Sequence, residues 1–284
     1  MKYIFFGTPE FAAIILGKLI KAGFSPLVVV CNPDRPVGRK KIITPPLTKL
    51  LTLKYNIPIL QPEVLTNYKL QITNYKPDFF VVAAYGKIIP KEILAIPRLG
   101  TIGVHPSLLP KYRGSSPIQS VILNGEKETG VTLFLMDEKV DHGKIISNVK
   151  YQISNLDNYE TLTRKLAELS ADLLIETLSK FLKDEIAPLA QDETQATYTK
   201  KFVTEDGYVN LEKDEPALIE RKIRALNPEP GIWTLQQVQG KQKRVKLLEA
   251  ELVDGKLKLT KIQVEGKKPQ NTELTCGVVQ SVTR

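Results

Sequence analysis

The residues able to do chemistry gather in one stretch, Gly100 to Gly143, which reads GTIGVHPSLLPKYRGSSPIQSVILNGEKETGVTLFLMDEKVDHG. The chain has two histidines, His105 and His142, and both fall inside it. Asp141 stands next to the second, with Asp137 shortly before. An imidazole held near a carboxylate can serve as a general acid or base, or can polarise a carbonyl oxygen. No nucleophile elbow is present, and neither cysteine, Cys31 or Cys276, lies near a histidine in the sequence. Two histidines without a thiolate make a poor metal site, so no metal is expected. Taken singly, His105 reads as a satisfied strand-end histidine and Asp141 as a loop cap. The joint presence of a histidine, a turn-rich SLLP segment, an Arg-Gly pair and MDxxxDxG in one short stretch favours a site instead.

The elements that must place these residues follow from the apolar pattern. Thr101 to Val104 reads as a strand leading into His105, and Gly130 to Met136 as another that stops just before Asp137. Two strands ending side by side, each delivering a titratable group, form the usual site of an open parallel sheet, and that is the arrangement expected. Lys2 to Phe6 is a further strand. Thr8 is the expected cap, and Pro9 the first residue, of a helix whose Phe11, Ile14, Ile15 and Leu19 recur at helical spacing. Ser25 to Cys31 and Asp78 to Tyr85 are continuous apolar runs, as in strands buried on both faces. The pattern GxGxxG is missing after the first strand, which argues against a dinucleotide site. Asn158 caps a long helix from Tyr159 to Leu182.

The segment NPDRPVGRKKIITPP, Asn32 to Pro46, is too long and too basic for a minimal connection and is expected as a functional loop. Arg39, with Lys40 and Lys41 beside it, suits phosphate or nucleic-acid contact. Pro188 to Thr199 reads as a linker. Beyond it lie one amphipathic helix, Pro216 to Leu226, and three alternating runs separated by glycines. The fold class expected is therefore α/β. A Rossmann-like, mostly parallel N-terminal domain (1–186) leads through a linker (187–202) to a small OB-like β-barrel (203–284).

Bulk properties set the outer limits. With two cysteines there is no disulfide framework, which favours a reducing compartment. The N-terminus carries no signal core and no apolar run nears membrane-spanning length, so a cytoplasmic protein with no membrane partner is expected. The net charge of +9 is concentrated near Arg35–Lys54 and again between Lys241 and Lys268, which fits a polyanionic partner.

The motifs together carry a resemblance. FGTPEF (Phe6 to Phe11), PDRPVGR (Pro33 to Arg39), AYGKIIP (Ala84 to Pro90), HPSLLPKYRG (His105 to Gly114), SPIQ (Ser116 to Gln119), ETGVT (Glu128 to Thr132), MDEKVDHG (Met136 to Gly143), ATYTKK (Ala196 to Lys201) and IRALNPEPGIW (Ile223 to Trp233) resemble the 10-formyltetrahydrofolate-dependent formyltransferases, in the family's order and over nearly the whole chain. FGTPEF, the PDRPxGR loop and RALNPxPG resemble most closely the members that act on initiator methionyl-tRNA. The resemblance implies formyl transfer from 10-formyltetrahydrofolate to an amine, by a monomer. It implies that His105 and Asp141 are catalytic and that Ser107, Leu108, Leu109 and Pro110 line the folate site. It also implies that Arg39, with Lys40 and Lys41, meets tRNA. Transfer to a sugar or other small amine, hydrolysis of the folate, and tRNA binding with weakened catalysis are the alternatives. The last arises because the family's catalytic asparagine position is Gly103 here. An amide there would donate to the oxyanion formed on the formyl group. The residues from Lys267 to Arg284 have no family match, and the barrel is expected to lack a strand.

Overall fold

A computed structural model describes residues 1–38, 40–183, 185–238 and 240–275. The chain divides into two compact units. One comprises Met1–Gly114, Glu128–Gln152 and Thr163–Tyr198; the other comprises Ser115–Lys127, Ile153–Leu162 and Thr199–Arg284.

The first unit opens with β1 (Tyr3–Gly7), α1 (Glu10–Lys21) and β2 (Val28–Val30). The helix begins after Pro9, yet Thr8 does not cap it. Its hydroxyl donates to the Tyr85 carbonyl and accepts from the Asn32 N–H, both at 3.2 Å. A tertiary partner thus outcompetes the local cap, and Thr8 ties the strand-end loops together.

The basic segment is a β-hairpin rather than a loop. Its strands are β3 (Arg35–Val37) and β4 (Ile42–Thr44), paired antiparallel. Gly38 and Lys41 take positive φ, 70° and 49°, and turn the chain between β-branched runs. Pro36 is tolerated because a two-stranded ribbon has open edges. After it come α2 (Leu47–Lys54), β5 (Ile59–Leu60), α3 (Lys69–Asn74), β6 (Phe79–Ala83) and α4 (Lys91–Leu94).

Next follow β7 (Thr101–His105), β8 (Arg113–Gly114), α5 (Pro117–Leu123, which belongs to the second unit), β9 (Glu128–Leu135), β10 (Ile145–Gln152) and the long α6 (Tyr159–Phe181). The seven-stranded sheet has the order β10-β9-β7-β6-β1-β2-β5. From β7 to β5 every neighbouring pair is parallel, and β9 and β10 add antiparallel. The expected pair of strands ending side by side is therefore corrected. His105, the last residue of β7, lies opposite Thr132, while the end of β9 lies opposite Ile102 at the start of β7. A continuous apolar run carries no direction, which is why the sequence does not separate the two arrangements. Asp141 reaches His105 by the β9–β10 connection and not by a strand end. That connection needs Gly143, because a Cβ there would collide with the Leu135 carbonyl oxygen.

Each central strand is buried on both faces. Ile4, Phe6, Val28, Val30, Phe80 and Val82 form one core cluster, with Ile72, Ile89 and Ile93 packed under it. Tyr3 and Phe79 alternate to the opposite face, where their rings stack at 5.3 Å.

After β11 (Tyr198–Thr199), the second unit contains α7 (Pro216–Leu226), β12 (Ile232–Val238), β13 (Lys241–Val253), β14 (Lys256–Val264) and β15 (Gln270–Thr275). The last four strands form one antiparallel meander in that order. The segment without a family match includes β15, and among the described residues this sheet has four strands, one fewer than the five of an OB barrel. Ile219, Ile223, Ala225 and Leu226 are the buried face of α7. Arg221 of that helix donates to the Leu123 carbonyl at 3.0 Å, fixing α5 beside α7.

Candidate active site

His105 sits at the end of β7 with 5% of its surface exposed. Its Nε2 lies 2.8 Å from the carbonyl oxygen of Tyr112. A carbonyl only accepts, so this nitrogen carries hydrogen. Nδ1 lies 3.5 Å from Oδ2 of Asp141, too long for a good hydrogen bond but close enough for charge to matter. The same Asp141 oxygen accepts the Gly114 N–H at 2.7 Å. Asp141 itself takes a left-handed backbone, φ 48°, which aspartate adopts more readily than most residues. One ring nitrogen is thus anchored and the other left facing a fixed carboxylate. Such a ring can accept a proton at Nδ1 when neutral, and can donate from Nδ1 to a developing oxyanion when both nitrogens are protonated.

Gly103 belongs to the same face, two residues before His105 on β7. It lies opposite Phe134 of β9, whose ring covers it. A Cβ on residue 103 would stand 2.5 Å from both Cε1 and Cζ of that ring.

The loop from Ser107 to Pro110 is clipped onto β9 by Thr132, whose hydroxyl accepts the Leu109 N–H at 3.1 Å and donates to the Ser107 carbonyl at 2.7 Å. Ser107 and Leu109 are buried, and the Ser107 hydroxyl is spent on the Lys111 carbonyl at 2.7 Å. Leu108 and Pro110 are half-buried. Leu108 fits because residue 130 is glycine; a Cβ there would approach its Cδ2 to 2.6 Å.

His142 does not join the pair. Its Nδ1 meets Asp137 at 2.7 Å and its Nε2 lies 3.6 Å from Glu193. Lys40 and Lys41 stand exposed at the tip of the β3–β4 hairpin, and Arg39 lies outside the described residues. Among the described residues, no group of three or more His, Cys, Asp or Glu side chains is placed to hold a metal ion. No helix among them is long and apolar enough to cross a membrane.

Nothing in the sequence signals the layer behind the pair. Arg113 is wholly buried, with 0% exposure, and its guanidinium is gripped by the segment read as a linker. It donates to both carboxylate oxygens of Glu193 at 2.6 and 2.9 Å, to Gln191 Oε1 at 2.7 and 3.1 Å, and to the Tyr198 hydroxyl at 3.1 Å. These bonds hold the Glu193 carboxyl below its ordinary range. Leu189 exchanges two backbone hydrogen bonds with Ile145, both at 2.8 Å, so the segment is laid against β10. A buried arginine demands partners, but these stand about eighty positions away, and no local pattern announces them.

Comparison with known proteins bears on what this arrangement does. The Formyl transferase family model matches residues 1–178, and the Formyl transferase C-terminal domain model matches residues 201–258. A methionyl-tRNA formyltransferase of Staphylococcus aureus is 42% identical over 255 residues, covering 89% of this chain and 80% of its own length. Among solved structures, HypX from Aquifex aeolicus in complex with tetrahydrofolic acid is similar with a TM-score of 0.67 at 18% identity, covering 96% of this chain and 46% of its own. Methionyl-tRNA formyltransferase from Clostridium thermocellum is similar with a TM-score of 0.63 at 17% identity, covering 93% of this chain and 98% of its own.

Proposed function

The chain belongs to the formyl transferase family, and from that premise we propose that it transfers a formyl group from 10-formyltetrahydrofolate to the α-amino group of initiator methionyl-tRNA. The observation that carries the reading is the likeness, over most of the chain, to relatives that bear the name of that reaction. The His105–Asp141 pair supplies chemistry that fits it.

In the reaction the neutral amine attacks the formyl carbon, and a C–N bond forms as the carbonyl electrons move to oxygen. His105, with both ring nitrogens protonated, donates from Nδ1 to that oxyanion while its Nε2–H is held by Tyr112. Asp141 stabilises positive charge on the ring and receives the amine proton through water. Collapse of the intermediate breaks the bond to the folate nitrogen, which takes up the proton that Asp141 received, leaving tetrahydrofolate and N-formylmethionyl-tRNA. The loop from Ser107 to Pro110 positions the folate, mainly through the backbone and through Leu108 and Pro110, a contribution of orientation rather than of bond chemistry. Arg39, Lys40 and Lys41 meet tRNA phosphates, and the C-terminal unit, read as an OB-like module from residue 203, holds the rest of the tRNA.

The test is to incubate the protein with 10-formyltetrahydrofolate, with and without initiator methionyl-tRNA, and to measure formyl-methionine and tetrahydrofolate. Formylation that requires the tRNA is the result expected, and His105→Ala should lower its rate about 10²- to 10⁴-fold. Tetrahydrofolate released equally without tRNA would overturn the reading, as would a His105→Ala protein working at the wild-type rate.

A further inference from the structure

Arg113 lies between the two residues that hold the catalytic pair. Tyr112 binds His105 through its carbonyl and Gly114 binds Asp141 through its N–H, at 2.8 and 2.7 Å. The position of that three-residue segment therefore sets the separation of imidazole and carboxylate. What holds the segment is the strap from Leu189 to Tyr198. Thr197 accepts the Arg113 N–H on its carbonyl at 2.9 Å and the Tyr112 N–H on its hydroxyl at 2.8 Å. Gln191 does more. Its Oε1 accepts from the Arg113 guanidinium, while its Nε2 donates to the carbonyls of Asp141 and Gly143 at 2.9 and 2.8 Å. One side-chain amide thus bridges the segment that holds the histidine and the turn that carries the aspartate.

We propose that Gln191 and Arg113 are positioning residues for formyl transfer. They lock Tyr112–Gly114 against the Asp141 turn, so that His105 and Asp141 meet at one fixed separation. The role assigned to the pair rests on the proposed function; the geometry of the clamp does not. Arg113 suits the task because its planar fork presents N–H donors in a fixed geometry to Gln191, Glu193 and Tyr198 together, which the compact ammonium of a lysine does not reproduce. Gln191 suits it because an amide both accepts and donates, which neither glutamate nor leucine does.

The test uses the full chain with Gln191→Leu, Gln191→Glu and Arg113→Lys. Gln191→Glu keeps the acceptor for Arg113 and loses the donor to the Asp141 turn, so it separates the two halves of the bridge. In all three variants kcat should fall about 10- to 100-fold, while KM for folate and for tRNA changes less than about threefold. A second measurement needs no substrate. The protein contains two histidines, so imidazole N–H signals in a ¹⁵N-labelled sample are readily assigned with a His142→Gln control. The His105 Nε2–H resonance, protected by Tyr112 in the wild type, should exchange faster in each variant. Variants with wild-type kcat and unchanged His105 exchange would overturn the proposal, as would variants in which KM rises while kcat stays at the wild-type value. Failure of the functional reading looks different: the wild type itself would not formylate tRNA, while the variants still altered the His105 signal.

Discussion

Replacing Gly103 by asparagine would restore the amide that the family resemblance places there, and the first thing that amide meets is Phe134. A Cβ at residue 103 would lie 2.5 Å from two ring carbons of Phe134 and 3.0 Å from Cγ of Met136. Carbon atoms in contact rest about 3.5–4.0 Å apart, so the ring must retreat by about an ångström or more. Phe134 is 2% exposed and has little room to do so. Forcing extra atoms into such a core costs about 1–3 kcal/mol, and in a chain of this size each kcal/mol lowers Tm by about 2–4 °C. Gly103→Asn alone should therefore melt lower and gain no rate. Gly103→Asn with Phe134→Val removes ring volume where the amide adds its own. That double variant should recover most of the Tm. An oxyanion donor is worth about 10²- to 10³-fold, so its rate should rise by up to that factor if the amide reaches the formyl oxygen. The assay is initial-rate formylation at saturating folate, with melting curves on the same samples. A single variant that melts with the wild type and turns over faster would show that the ring does not occupy the amide's place. A well-folded double variant with no gain would show that the oxyanion already has its donors.

Two further outcomes follow from the charged segments. Lys40→Ala with Lys41→Ala should raise KM for tRNA with little change in kcat, and should reduce the slope of log affinity against log salt by about one for each phosphate no longer neutralised; an unchanged slope would remove the hairpin tip from the tRNA interface. Because Arg113 holds the Glu193 carboxyl below its ordinary range, their ion pair contributes stability above the unfolded glutamate pKa of about 4.3 and loses it as pH falls through the lowered folded value. Glu193→Gln should therefore be less stable than wild type at neutral pH, with the gap closing in acid. A gap that stayed constant across that range, in melting or in protease cleavage of the strap, would contradict the assignment.

What the sequence discloses and what it hides divide along a physical line. The central strands are legible because runs such as DFFVVAAY admit few other environments, and Asn158 announces α6 by a local bond to the Thr161 N–H. Thr8 misleads because the Tyr85 carbonyl, distant in sequence, claims its hydroxyl. The hairpin at Arg35–Thr44 is hidden by Pro36 within it and by the prolines that flank it, Pro36 being tolerated on a free edge. His105 and Asp141 can be named as a pair, but their route to each other cannot, since strand direction leaves no mark on an apolar run. The clamp is least legible, because Arg113, Gln191 and Glu193 are ordinary polar residues until the fold brings them together.

The strap also sets an order in time. A chain leaving the ribosome presents His105 first, then Asp141, then all of α6, before Gln191 and Tyr198 appear. Through that interval the nascent protein holds both His105 and Asp141 and lacks Gln191 and Tyr198. The site is finished by a late arrival. A fragment cut at residue 186 would remain permanently at the stage the nascent chain passes through.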